Sequence, residues 1–477
     1  MKRLVALTLV LGLFLGSAPA AQAGYPNPGT GKTDIYLQNV GAGDCALNVT
    51  YTTAVGGTGP SSATYQDPSV VPQWTTRVIP SSVSTDPALP TPWAGAAEVS
   101  ATEPMAGAVA VLWDGASKTA GIYKGLGEGS TRWYIPYIVV ADTSTSQAKT
   151  AVTIHNVETV PVTVTLRLYD GSGTLRRTLN LYNIPAKTER SVDLSQSAYR
   201  PDFSSTGGIG TGHVTASSNI GVVVTLHWGV SENNSSDCYM ADMNGAPSLY
   251  FPAVFRQSSR FSEVYITNLG SRDAHVDIYF RKADGYWTSF RLLNQVIKPR
   301  EVKVLKTVEL TGLGSSFSGQ LEVFPTSGYG KPSLTGVCKV TQTTGARDVA
   351  VYNRVRSHEF TGDAGMAFPL AVRKMSGSTP VMHSVTYVRN ISAWPGSVTV
   401  EFFGATSSTP VLTRTLSIPK RGQIEIDLSS VSHASLGNDF TGSMRITSDL
   451  VILGATLVYW DSAGRAAAYT HFPIPIQ

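Results

Sequence analysis

The chain has 477 residues, 15% of them charged, with 45 Gly, 27 Pro, only 3 Cys and a formal charge of +4. So few cysteines exclude a disulfide scaffold, and Lys and Arg scattered among Asp and Glu, with no basic stripe, speak against nucleic acid as a partner. The Gly, Pro, Ser and Thr content suits an exported β-rich protein, whose turns need Gly and Pro and whose strands accept Thr and Val.

Residues 1–23 carry Lys2 and Arg3, an apolar run from Leu4 to Leu15, and small residues ending in Ala21-Gln22-Ala23. That order predicts a secretory signal peptide cleaved after Ala23, leaving a mature chain of formal charge +2. The run is too short to span a bilayer and no later segment approaches about 18 uninterrupted apolar residues. The expected location is therefore extracellular or at the cell surface, with no transmembrane segment in the mature chain. Gly29-Thr-Gly-Lys-Thr33 has the look of a phosphate loop. Pro26 stands where such a loop needs Gly, however, and a strand rather than a helix follows, so it is predicted to be an N-terminal lead.

An alternating apolar run ending in Asn then occurs four times, at Ile35 to Asn39, Val152 to Asn156, Val264 to Asn268 and Val385 to Asn390. The Asn spacings of 117, 112 and 122 residues are those of folding domains, not of solenoid turns. Pro80, Pro185, Pro299 and Pro419 recur behind the Asn residues, each separating two strands because Pro cannot donate to a ladder. The fourth copy is the clearest: Ser397 to Phe403 and Leu412 to Ile418 alternate, Gln423 to Leu428 follows Pro419, and Gly442 to Thr447 and Val451 to Tyr459 close it. In the second copy the closing pair is Gly212 to Ala216 and Ile220 to Trp228. Tyr134-Ile-Pro136, Tyr250-Phe-Pro252 and Ala367-Phe-Pro369 are read as joints. The expectation is an all-β chain of four tandem Greek-key β-sandwich modules, 24–132, 133–249, 250–366 and 367–477, in an elongated array, with about seven strands per module. Each recurrent Asn is predicted to close an Asx-type turn. Val385 and Tyr387 should share one sheet face and Thr386 and Val388 the other, so that Val385→Asp would unfold the fourth module alone.

The strand, Asn, loop, strand and Tyr-Asp-Gly pattern from Val152 to Gly171 resembles the immunoglobulin-like and fibronectin-III-like, cell-adhesion-related repeats of bacterial secreted and surface proteins. The Cys-Trp-Cys core of true immunoglobulin domains is not present. The resemblance covers the mature chain at the level of pattern and implies a spacer, adhesive or surface-layer role, without catalytic or binding residues.

Reactive chemistry is sparse. The eight His lack the close spacing that places two ligands on one metal, and no Gly-x-Ser-x-Gly elbow occurs. No catalytic residue, metal or cofactor is expected. Cys45, Cys238 and Cys338 fall in three different copies, so any bridge would join modules and one thiol would stay odd. Trp113, Trp228 and Trp460 end equivalent strands and read as packing residues, whereas Tyr286, Trp287 and Trp394 have no counterparts and are the candidate contact surface. Phe472, Pro473, Ile474, Pro475 and Ile476 repeat the joint pattern with no module behind them. They are a candidate assembly strand for an open edge in the first module, with closure of the fourth module as the alternative. The expected function is that of a non-enzymatic structural or adhesive surface protein able to polymerise head to tail, its partner being itself, another envelope protein or a surface glycan. The alternative is a glycan-binding protein or an accessory component of a secreted hydrolase.

Overall fold

The computed structural model describes residues 5–9, 31–90, 93–114, 118–127, 129–142, 147–229, 234–343, 349–356, 364–460 and 465–475. The chain is all-β. Its sheets are antiparallel, consistent with the β-sandwich class, and the helical elements among the described residues are short 3-10 turns. The cleavage site at Ala23, the Gly29 end of the lead and Ile476 lie outside the described residues.

One pairing plan recurs in four segments. In chain order the first contains β1 (Val5–Leu9), β2 (Gly31–Asn39), β3 (Leu47–Thr53), β4 (Ser62–Gln66), β5 (Thr76–Ile79), β6 (Gly95–Ala101), β7 (Met105–Asp114) and β8 (Lys118–Lys124). They form two sheets, ordered β1-β6-β3-β4 and β5-β2-β7-β8. In the third segment the first strand, Leu249–Arg256, likewise pairs the sixth, Phe317–Pro325, which pairs the third, Ala274–Lys282, which pairs the fourth, Trp287–Ile297. The second, Arg260–Asn268, pairs both Val302–Lys306 and Leu334–Gln342, and the last of these pairs Val349–Asn353. The fourth segment repeats this from Ala364–Ser376 to Arg465–Thr470.

A glycine marks the same point in every copy. A Cβ on Gly95, Gly210, Gly319 or Gly442, each at the head of a sixth strand, would come within 2.0–2.4 Å of the carbonyl oxygen of Thr52, Tyr169, Arg281 or Phe403 near the end of the third strand. Only a residue without Cβ lets these two backbones approach so closely.

One detail differs from the sequence reading. The segments expected as two strands around Gly212 and Ile220 are one continuous strand, Ile209–Trp228, which pairs Val162–Asp170 through residues 210–216 and Gln147–Asn156 through residues 220–228. Ser217-Ser-Asn219 has no Gly or Pro to turn the chain, unlike Ser327 to Pro332 of the third copy. The Phe-Pro elements, read as joints between copies, lie inside the first strands of their segments, Leu249–Arg256 and Ala364–Ser376. The ladder register shifts between Phe251 and Val254 and between Phe368 and Ala371, so each Pro sits at a bulge, where the missing N–H costs no ladder bond.

The chain divides into two compact units, Met1–Gln73 with Arg77–Asn244, and Trp74–Thr76 with Gly245–Gln477, each holding two of the recurrent segments. Within each unit the pair meets through equivalent eighth strands: β8 packs on Ser236–Met240, and Val349–Asn353 packs on Arg465–Thr470. In the second unit one apolar cluster runs through both segments, joining Val264, Ile266, Cys338 and Tyr352 to Val385, Tyr387, Leu457 and Ala468. Val385 and Tyr387 do share a face, and it faces the third segment. Thr386 and Val388 are equally buried, so the strand is covered on both sides.

Candidate functional site

The four recurrent Asn residues are buried and do more than turn the chain. In each, Oδ1 accepts the backbone N–H two residues on, at Gly41 (2.9 Å), Glu158 (2.9 Å), Gly270 (2.8 Å) and Ser392 (2.7 Å), the predicted Asx turn. The amide group also donates to the carbonyl four residues on, at Gly43, Val160, Arg272 and Trp394, at 2.7–2.8 Å. A further donation reaches a carbonyl far along the chain: Val71 from Asn39, Ile184 and Pro185 from Asn156, Ile297 from Asn268, Pro419 from Asn390, at 2.9–3.0 Å. Each Asn thus clamps the loop behind its strand to a distant one, using donor and acceptor together. In the last three copies the distant loop is a turn whose third residue, Lys187, Arg300 or Arg421, has positive φ.

These turns build the junction inside each unit. In the second unit the turn at Pro419–Gly422 lies against the hairpin at Ala283–Gly285 of the third segment: the Gln423 N–H donates to the Ala283 carbonyl (2.8 Å) and Gln320 Nε2 to the Arg421 carbonyl (2.9 Å). Beneath it Glu322 ion-pairs with Arg281 (3.2 Å) and with Arg389, whose guanidinium lies 4.9 Å from the Tyr250 ring centre. Burial first, then nearby Arg281 and Arg421, push the Arg389 guanidinium well below its ordinary value, and burial with Arg421 lowers Arg281 to about 10. Arg281, at about 10, is a cation at neutral pH, and the two guanidinium groups share the single Glu322 carboxylate.

The first unit has the same junction with weaker chemistry. The Val55 N–H donates to the Glu189 carbonyl (2.9 Å), and Lys187, in the place of Arg421, ion-pairs with Glu98 (3.0 Å) on the sixth strand, in the place of Glu322. His155 stands where the fourth segment has Arg389. It is buried, and burial followed by the charge of Lys187 lowers it to about 3, while burial holds the Glu189 carboxyl well above its ordinary range. The Trp113 ring packs edge-on against His227 at 5.4 Å across this pair of segments, the packing role expected for it.

The candidate contact residues lie around the second unit's junction. Trp394 is 70% exposed, Tyr286 67% and Trp287 44%. The Trp287 ring is held by the Arg281 guanidinium, 3.3 Å from its centre, and by Tyr279 at 4.8 Å. Trp394 is fixed through its backbone by Asn390, in a loop whose Ser392 carbonyl accepts the Arg421 N–H (3.2 Å). The turn at residues 419–422 therefore links the loop of Trp394 to the hairpin of Tyr286 and Trp287, although no ring contact joins them among the described residues. Phe472–Pro475 form a strand paired with Ala364–Ala367 of their own segment, the place that Val355–Arg356 take in the third. Cys45, Cys238 and Cys338 are buried and unbridged, and burial holds the thiols of Cys238 and Cys338 protonated, the latter pushed up to about 12.

Sequence reasoning missed the Arg281, Glu322 and Arg389 cluster. The available signal was a charge at an inward position of an otherwise apolar strand, as in Val385-Thr-Tyr-Val-Arg389. It also missed a cavity of about 420 Å³ in the first segment, lined by Ile35, Tyr51, Ile79, Ser81, Thr85 and Trp93, for which the irregular run from Pro80 to Trp93 gave no periodic cue.

No protein-family model and no curated protein matches the chain. Among solved structures it is similar at low level to an α-L-rhamnosidase of Streptomyces avermitilis complexed with L-rhamnose, with 10% identity and a TM-score of 0.14. That match covers 91% of this chain and 55% of that one, so the chain spans about half of the enzyme's length. A second is the viral chemokine binding protein R17 encoded by rodent gammaherpesvirus Peru, with 7% identity, a TM-score of 0.16, and coverage of 74% of this chain and 88% of that one. Neither likeness carries an argument about fold or function.

Proposed function

We propose that the chain is a secreted, non-enzymatic structural or adhesive surface protein of four Greek-key, immunoglobulin-like sandwich modules, its leader removed after Ala23. The supporting observation is the fourfold pairing plan with its Asn clamp, in which several side chains of reactive type serve the architecture. The Asn amides bond backbone, Glu322 ion-pairs with two buried arginines, His155 is held neutral and the thiols are buried. The test is expression in a secreting host followed by fractionation and intact mass. A soluble or surface-bound product beginning at Gly24 is expected, and retention in the cytoplasm with the leader intact would refute the reading.

A second reading, glycan binding, is favoured by the exposure of Tyr286, Trp287 and Trp394 around one junction, since sugars stack on open aromatic faces. Polysaccharide pull-down that is lost on Trp394→Ala and weakened on Trp287→Ala would establish it. Equal retention by the wild type and both variants would remove it.

A further inference from the structure

The first strand of the first segment is the anomaly of the fold. In the later copies the strand beside the sixth one is contiguous with its module: Ser130–Val139 pairs Ile209–Trp228, Leu249–Arg256 pairs Phe317–Pro325, and Ala364–Ser376 pairs Asp439–Thr447. In the first segment that place beside β6 is taken by β1, antiparallel, with Val5 opposite Ala101, Leu7 opposite Val99 and Leu9 opposite Ala97. The equivalence of β6 with the other sixth strands rests on independent ground, the Gly95 contact with Thr52 that Gly210, Gly319 and Gly442 repeat. Yet β1 lies inside the segment read as the export leader. Once cleavage removes it, β6 pairs only β3 among the described residues, and its other backbone edge, a row of N–H and C=O groups, is left without a described partner strand.

We infer that the exported chain is a strand acceptor: the vacated edge of β6 takes an extended, apolar strand of a different polypeptide, running antiparallel to residues 97–101. The inference rests on the leader removal proposed above. The later first strands state the chemistry required, for Phe251, Ala253, Val254 and Phe255 are fully buried, as are Phe368, Leu370 and Val372. The occupant must therefore be aliphatic or aromatic along its length, and it gains affinity from ladder bonds and specificity from alternate side chains. A second copy of this chain is the poorer source. Its later first strands, and its Phe472–Pro475, are each paired within their own segments, leaving no spare strand among the described residues.

The test uses the exported protein and, as the probe, a synthetic peptide of residues 2–10 carrying Leu7→Cys. Intact mass first shows whether the leader is gone. Under mild oxidation the peptide should cross-link to a Val99→Cys chain and not to a Thr64→Cys chain, whose substitution lies on β4, across β3 from β6. In the wild type, peptide without Cys should slow hydrogen exchange across residues 95–101, a readout that does not depend on the variant folding. A mass retaining the leader would sink the processing reading and the inference with it. A mass lacking the leader overturns the inference alone if cross-linking fails or does not discriminate, or if residues 95–101 are already protected by the chain's own residues or by a second copy.

Discussion

The two units repeat one junction with different residues, and the difference separates what the architecture requires from what it tolerates. Both close through eighth strands, and both seat a hairpin turn of one segment on the turn behind the Asn clamp of the next, by Val55 on Glu189 in one and Ala283 on Gln423 in the other. The second unit fills the space beneath with Glu322 between two arginines, beside an apolar cluster that spans both segments. The first uses Lys187 and Glu98, partly exposed, with a neutral His155 in the arginine's place. Backbone contacts are shared, whereas the charges are local solutions. Solvent-screened Lys187–Glu98 stabilises little, while the buried cluster is costly to break.

The largest expected effect comes from Val385→Asp. Burying an unpaired carboxylate costs several kcal/mol, comparable with a domain's stability. Because Val385 belongs to a cluster shared by the third and fourth segments, both should become sensitive to limited proteolysis while the first unit stays resistant. This replaces the expectation that the fourth module alone would unfold, and loss confined to residues after 364 would restore it.

Next comes the clamp. Asn268→Ala strips partners from the Ile297 carbonyl, the Arg272 carbonyl and the Gly270 N–H, and should cost about 2–3 kcal/mol in urea unfolding. Asn268→Asp should cost more, since it sets a carboxylate against two carbonyls. Near-zero effects would reduce the clamp to an ordinary turn.

Mild acid should distinguish the units. His155 is held below its unfolded value, so the unfolded chain takes up the proton first and stability falls as pH drops from about 6.5; the fall continues to about 3, where the folded group titrates. His227, pushed well below its ordinary value by burial and then Lys149, adds to the same limb. In the second unit one buried histidine, His433, is lowered the same way, by burial first and then Arg414, against the opposing pull of Asp427. Glu189 works the other way, because its buried carboxyl takes up a proton first in the folded state, and it offsets part of the loss from the two histidines but not all of it. Urea midpoints at pH 7 and pH 4.5 should therefore still fall further for the first unit, and less so in His155→Gln. Equal slopes in the two units would break the comparison. Smallest of all, Trp394→Ala should change stability by less than about 0.5 kcal/mol, as its ring is open to solvent, so any loss of binding by this variant reports contact and not folding.

Much of this plan is written locally in the sequence. Period-two runs such as Ser397 to Phe403 and Leu412 to Ile418 coincide with the strands Gly396–Phe403 and Leu412–Ile418, because one-sided burial imposes alternation. The Asx turn at each Asn was legible because it closes over two residues. The second half of the clamp was not, since its acceptor lies on another loop brought near only by the fold. Alternation also tells which residues share a face but not what covers that face, which is why Val385 and Tyr387 gave no sign of the third segment. The candidate contact residues, chosen for their lack of counterparts, carry exposed rings, while the buried charges that organise their loops were hidden by sequence separation.

Hydrogen exchange followed by mass spectrometry across a urea series reads out whether the four segments fold as two pairs. Two cooperative openings are expected. Residues 249–353 and 364–470 should lose protection at one urea concentration, and residues 31–124 and 130–240 at another. Four separate openings, one per segment, would contradict it.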